Sequence, residues 1–143
     1  MSTPGNQKRI LSVDDTPAIH LLMPAYLSKD GNVEILNSEG MDVAAAVNAI
    51  RLQLEGVDVL ILDGNYEDPK KTKDQTALQV IQALAPELST RGITVIVYSS
   101  DNRILAAVKA YYPSVSVVVK PMNFDLIKEA IASRVPFQAN QAS

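Results

Sequence analysis

The stretch VDVLILDGN, residues 57–65, decides the fold. Between Val57 and Leu62 only Asp58 interrupts an aliphatic run. A strand with one wet face alternates polar and apolar residues, because successive side chains point to opposite sides of the sheet. A strand that is apolar on both sides must be covered on both faces, as in a parallel sheet with helices above and below. The run then stops at Asp63-Gly64-Asn65, a turn signal that leaves a carboxylate at the carboxyl end of the strand. Working outward, four more runs read as strands: Arg9–Val13, Val33–Leu36, Ile93–Tyr98 and Val115–Val119, the last two nearly as continuous as the first. Helical spacing fills the intervals over Pro17–Leu27, Val43–Leu54, Ala77–Leu88, Ile104–Tyr111 and Phe124–Arg134. In the last of these Leu126, Ile127, Ala130 and Ile131 form one stripe. The order is therefore (βα)₅, an α/β doubly wound, five-stranded parallel sheet. Asp101 or Asn102 can cap the fourth helix and Asn123 the fifth, while Pro24 predicts a kink or an early end in the first.

A chain of 143 residues that is 47% hydrophobic can build one self-sufficient core. The spacing of its elements predicts one domain over residues 8–135, with loose tails at 1–7 and 136–143. The net charge is −3 and the 13 Lys and Arg residues are dispersed, which argues against direct nucleic-acid binding. No cysteine is present, so thiolate nucleophiles, disulfides and Cys-based zinc sites are excluded. The amino-terminal MSTPGNQKR lacks the apolar core of a signal peptide, and no apolar run approaches the roughly 20 residues that span a bilayer. A cytoplasmic protein that does not enter membranes is expected.

In such a sheet, ligands gather at the carboxyl ends of the strands. There the sequence places Asp14 and Asp15 after the first strand, Asp63 after the third, Ser99 and Ser100 after the fourth, and Lys120-Pro121 after the fifth. Singly, these residues would be turn residues, helix caps or solvated charges. Together they fall at the same end of four strands. Carboxylates crowded within about 4 Å repel one another and call for a cation or a raised pKa. A hard divalent ion with oxygen ligands answers that need, and Lys120 adds an opposing charge.

The ordered set of SVDDTP, LILDGN, VIVYSSD and VVVKPMN resembles the receiver domain of two-component response regulators, over about Lys8 to Arg134. That resemblance implies the flavodoxin-like, CheY-like strand order 2-1-3-4-5 and a stand-alone receiver, since about nine residues follow Arg134. It makes Asp63 the acceptor of a phosphoryl group, with Lys120 and Ser99 assisting. Mg²⁺ (or Mn²⁺) would be held by Asp15, Asp63 and the backbone carbonyl of Asn65, and by Asp14 through a water. The implied partners are a sensor histidine kinase or phosphotransfer protein and a downstream protein target, and the resemblance admits a homodimer through the fourth helix, fifth strand and fifth helix. The chemistry would be self-phosphorylation and self-dephosphorylation rather than conventional turnover.

Two departures stand out. Receivers carry an aromatic residue three positions before the lysine, where this chain has Val117, so Tyr98, Tyr111 or Tyr112 would have to carry the signal. The connection at 64–76 is longer than usual and highly charged, with Glu67, Asp68, Lys70, Lys71 and Lys73. It reads as a tolerated insertion or as a partner contact or lid. Asn65 and Asp101 flank the path expected for a hydrolytic water. His20, the lone histidine, reads as a surface or packing residue. The alternative reading is a constitutive docking module that does not use its switch. A metal-dependent phosphohydrolase is disfavoured because Asn65 stands where a general acid is required.

Overall fold

A computed structural model describes residues 7–139. The strands are β1 (Arg9–Asp14), β2 (Asn32–Asn37), β3 (Val59–Asp63), β4 (Thr94–Ser99) and β5 (Ser116–Val119). They alternate with the helices α1 (Pro17–Tyr26), α2 (Val43–Gln53), α3 (Ala77–Arg91), α4 (Asn102–Tyr111) and α5 (Phe124–Ser133). All pairings are parallel, as the apolar runs predict, and the order is β2-β1-β3-β4-β5, as the resemblance implies. Each residue of β3 and β4 is buried, which is the physical content of their unbroken apolar runs. The edge strand β2 alternates exposed and half-buried positions until Leu36, so only its apolar half was legible.

The sheet separates two cores. Val47 and Ile50 of α2, Val80, Ile81, Leu84 and Leu88 of α3, and Ile104, Leu105 and Val108 of α4 cover one face. Ile19, Met23 and Leu27 in and just after α1, with Phe124, Ile127 and Ile131 of α5, cover the other. Among the described residues no helix is long and apolar enough to cross a membrane.

Local chemistry sets the helix ends. Asp101 caps α4, accepting from the backbone N–H groups of Arg103 (3.0 Å) and Ile104 (3.4 Å). Gly92 ends α3 in the left-handed region at φ +63°, where a Cβ is disfavoured. That carries α3 beyond the expected Leu88, through Pro86. The helix α1 likewise runs through Pro24 and stops two residues later at Tyr26, so the expected early end is a short one.

Two expectations need correcting. Asn123 does not cap α5 with its side chain: Nδ2 turns back and donates to the Val119 carbonyl at 2.6 Å. The first-turn N–H groups of Leu126 and Ile127 bond the Asn123 backbone carbonyl instead. The tail expected from 136 onward begins as core, because Phe137 is 2% exposed. Its N–H donates to the Ile93 carbonyl at 2.8 Å and its ring lies 5.2 Å from that of Tyr112. One aromatic side chain buries enough apolar surface to hold this short segment against the core. Residues 1–6 and 140–143 of the expected tails lie outside the described residues.

Candidate functional site

The pairing of Val13 with Leu62, Asp63 with Tyr98 and Ser99 with Val119 brings the carboxyl ends of β1, β3, β4 and β5 to one rim. Asp14 (2% exposed) and Asp63 (8%) are buried there, and Asp15 is exposed. A carboxylate oxygen from each of the three lies within 4.8 Å of the others. Lys120 Nζ donates to Asp14 Oδ2 at 2.9 Å and to Asp63 Oδ1 at 3.1 Å. Backbone N–H groups complete the frame: Thr16 donates to Asp14 Oδ1 at 3.0 Å and Gly64 to Asp63 Oδ1 at 2.8 Å. The Oδ2 of Asp63 takes part in none of these bonds and is the oxygen left to react or to bind a cation.

The electrostatics follow from burial. Removal from water and the neighbouring Asp14 push the Asp63 carboxyl up to about 6, against the opposing pull of Lys120 and of the Gly64 N–H. Burial works to lower the Lys120 ammonium, but Asp63 and Asp14 together outweigh it and its pKa is raised. The site thus sets three acidic side chains against one lysine. Its oxygen-only donor set and residual negative charge fit a hard divalent cation.

Asn65 offers a fourth oxygen. It pairs with Thr76 in an isolated antiparallel bridge made by its neighbours: Tyr66 N–H donates to Gln75 O and Ala77 N–H to Gly64 O, both at 2.9 Å. The Asn65 carbonyl stays outside that pairing. The same connection is tied down by Glu67 N–H on Met41 O (2.8 Å) and Val43 N–H on Gln75 Oε1 (2.7 Å). Asp68 accepts from the N–H groups of Thr72 and Lys73, both at 2.9 Å. The long insertion is thus a folded loop. Together with α4 it lines a cleft of about 520 Å³ beside the site, whose walls include Asn65, Lys73, Asp101 and Arg103.

Ser99 is buried, and its Oγ accepts from Asp101 N–H at 3.1 Å. It stands against Gly64, where a Cβ would lie 2.2 Å from Ser99 Oγ and 2.6 Å from Ser99 Cβ. The structure brings together Asp14, Asp15, Asp63 and Lys120, with Ser99 close by against Gly64. His20 is half-buried, and its Nε2 meets the Asp14 carbonyl at 2.8 Å, a brace for the turn after β1. Val117 is half-buried against the α2–α4 core.

Two residues of the site, Gly64 and Tyr66, were not singled out from the sequence, and a third, Tyr98, was named there only as a signal carrier. Gly64 looked like an ordinary turn glycine, and only the approach of Ser99 shows what excludes a side chain there. Tyr66 buries a hydroxyl that has no hydrogen-bond partner among the described residues, and burial together with the three nearby acidic side chains pushes its pKa far up. Tyr98 lies beneath Lys120, with Nζ 5.4 Å from the ring centroid. Its place in VIVYSSD carried the signal, because strand alternation points it to the face opposite Ser99.

No family model matches this sequence, and no curated protein matches it. Solved structures do match. The response regulator receiver protein from Sinorhizobium medicae WSM419 is similar at TM-score 0.67 and 18% identity, over 91% of this chain and 95% of that one. The chemotaxis protein CheY4 of Vibrio cholerae is similar at TM-score 0.60 and 21% identity, over 90% and 98%. The CheX-CheY-BeF3-Mg²⁺ complex from Borrelia burgdorferi gives TM-score 0.63 and 17% identity, over 88% and 87%. The chain has the CheY-like receiver fold along nearly its whole length.

Proposed function

We propose that this chain is a phosphoryl-accepting switch of the response-regulator type, a signalling domain and not a turnover enzyme. The observation that carries the reading is Lys120 Nζ bridging the buried Asp14 and Asp63 at 2.9 and 3.1 Å, beside the exposed Asp15, on the rim where a receiver fold presents its site. In the reaction Asp63 Oδ2 attacks the phosphorus of a phosphohistidine on a kinase or phosphotransfer protein. A new O–P bond forms, the N–P bond breaks, and the electron pair leaves with the imidazole. Phosphoryl transfer has a loose transition state with charge spread over its equatorial oxygens, so the protein contributes positioning and neutralisation. The Gly64 N–H and Lys120 hold Oδ1 and leave Oδ2 free, and the raised pKa still leaves Asp63 mostly ionised at pH 7. Asp15 and Asp63, with the Asn65 carbonyl and Asp14 beside them, would hold a divalent cation such as Mg²⁺, which would supply further charge neutralisation for the incoming oxygens. The naming of BeF3 and Mg²⁺ with the Borrelia CheY supports this assignment.

After transfer, the phosphoryl oxygens become new acceptors for Lys120 and for the Ser99 hydroxyl, and a shift of Ser99 with the Asp101 cap moves the start of α4. A downstream protein reads that shift by docking. The test is intact mass after incubation with Mg²⁺ and acetyl phosphate. A gain of about 80 Da, absent without the metal and in Asp63→Asn, supports the reading. No gain, with beryllofluoride also failing to bind, rejects it in favour of a docking module that does not use the site.

A further inference from the structure

Lys120 has a long, flexible stem, yet it must keep its ammonium between two carboxylates and meet a phosphoryl group when one arrives. The carboxylates alone do not fix it, since several rotamers of a lysine can satisfy a pair of acceptors. Tyr98 supplies a third wall. It is the residue before Ser99 on β4, directly beside β5, and it is fully buried. Its hydroxyl donates to the Met122 carbonyl at 2.7 Å, which ties the ring to the turn two residues beyond Lys120. Phe124 lies 5.9 Å from the same ring and itself stacks on Tyr26 at 4.5 Å. The ring is thus clamped by its strand, by the turn and by a neighbouring aromatic. A clamped aromatic face within about 6 Å of an ammonium attracts it, more strongly where water is largely excluded. The Lys120 side chain is only 15% exposed.

We infer that Tyr98 is a positioning residue for Lys120: its ring, packed between its strand and Phe124, holds the ammonium in register with Asp63. The inference deepens the phosphoryl-accepting reading and rests on it for its effect on rate, but the contact itself can be tested without any transfer. Val117, whose side chain is packed against the opposite core, supplies no aromatic face to this lysine.

The first experiment is NMR on the unphosphorylated full chain with labelled lysine, assigned with Lys120→Met. The ε-methylene protons of Lys120 should be shifted upfield and show nuclear Overhauser contacts to the Tyr98 ring. The upfield shift should persist in Tyr98→Phe and vanish in Tyr98→Leu. The second is the initial rate of mass gain with acetyl phosphate at saturating Mg²⁺. Tyr98→Phe should stay within about threefold of wild type and Tyr98→Leu should be roughly tenfold slower, with metal affinity nearly unchanged in both. An unshifted Lys120 without ring contacts overturns the inference, even if Tyr98→Leu fails to fold. So does a folded Tyr98→Leu that is phosphorylated at the wild-type rate. If the wild type takes up no phosphoryl group, the functional reading fails, while the NMR result still decides whether Tyr98 holds Lys120.

Discussion

Gly64 shows how much of the site depends on an absent side chain. Its backbone N–H holds Asp63 Oδ1, and its Cα face receives Ser99, whose Oγ would lie 2.2 Å from any Cβ placed there. Gly64→Ala must therefore push β3 and β4 apart or force Ser99 out, at a cost of about 1–3 kcal/mol. Urea unfolding of Gly64→Ala in the wild-type and Ser99→Gly backgrounds checks this, because the second background removes both clashing atoms. Equal costs in the two backgrounds would reject the explanation. Asp63 makes the complementary case of a charge held against its preference. Its carboxyl rises from 3.8 to about 6 on folding, so between those values the folded state binds more proton than the unfolded one. The resulting stabilisation is fully present below pH 3.8 and is lost as pH rises through 6. At pH 7 the ionised carboxylate then costs the metal-free protein about 3 kcal/mol. Asp63→Asn should raise stability at pH 7 by up to that amount and have little effect at pH 4, measured by denaturant titration without metal. Adding Mg²⁺ at pH 7 should stabilise the wild type and leave the Asn variant nearly unmoved.

At the scale of elements, legibility followed the physics of burial. The strands β3 and β4 announced themselves because a strand covered on both faces must be apolar throughout. The strand β5 is as apolar in sequence but is a partly buried edge strand with Val119 exposed, so its run marked a strand without marking its burial, and the three ends delivered Asp63, Ser99 and Lys120. The connection at 64–76 did not announce its structure. Its order comes from the Asp68 carboxylate gathering two backbone N–H groups and from Lys71 and Lys73 accepting left-handed φ values of +53° and +64°, which residue type does not foretell. Asn123 was misread for a similar reason, since a side-chain amide can cap a helix or bond backwards and only the fold chooses. Asp101, by contrast, had the right type in the right place. Replacing it with alanine should cost about 1 kcal/mol and fray the first turn of α4, seen as faster amide exchange at Arg103 and Ile104. Asp68→Ala should release the amides of Thr72 and Lys73 to exchange while the amides of β3 stay protected. Protection unchanged at Thr72 and Lys73 would mean that the ties to Met41 and Val43 hold the loop without Asp68.

The whole molecule keeps chemistry and stability at opposite ends of its sheet. Asp14, Asp63, Ser99 and Lys120 sit at the carboxyl ends of the strands, where burial of charge works against folding. At the other end, the chain after α5 crosses back so that Phe137 N–H bonds the carbonyl of Ile93, the residue before β4, and its ring joins Tyr112 in the α2–α4 core. A Phe of 2% exposure buries enough apolar surface to offset the ordering of the few residues around it. Phe137→Ala should therefore lower stability by about 3–5 kcal/mol, a fall of roughly 10 °C or more in Tm for a domain of this size. A stop codon after Val135 should reproduce most of that loss, since it removes the same ring and the Ile93 hydrogen bond. Calorimetry of both variants measures it, and intact mass with acetyl phosphate on the fraction that remains folded separates the two ends of the molecule. Because Phe137 lies a full strand length from Asp63, phosphoryl uptake per folded molecule should be unchanged. A Tm within a degree or two of wild type in both variants would place residues 136 and onward outside the cooperative unit. A drop in uptake that exceeds the loss of folded protein would instead show that the far end of β4 transmits strain to the rim.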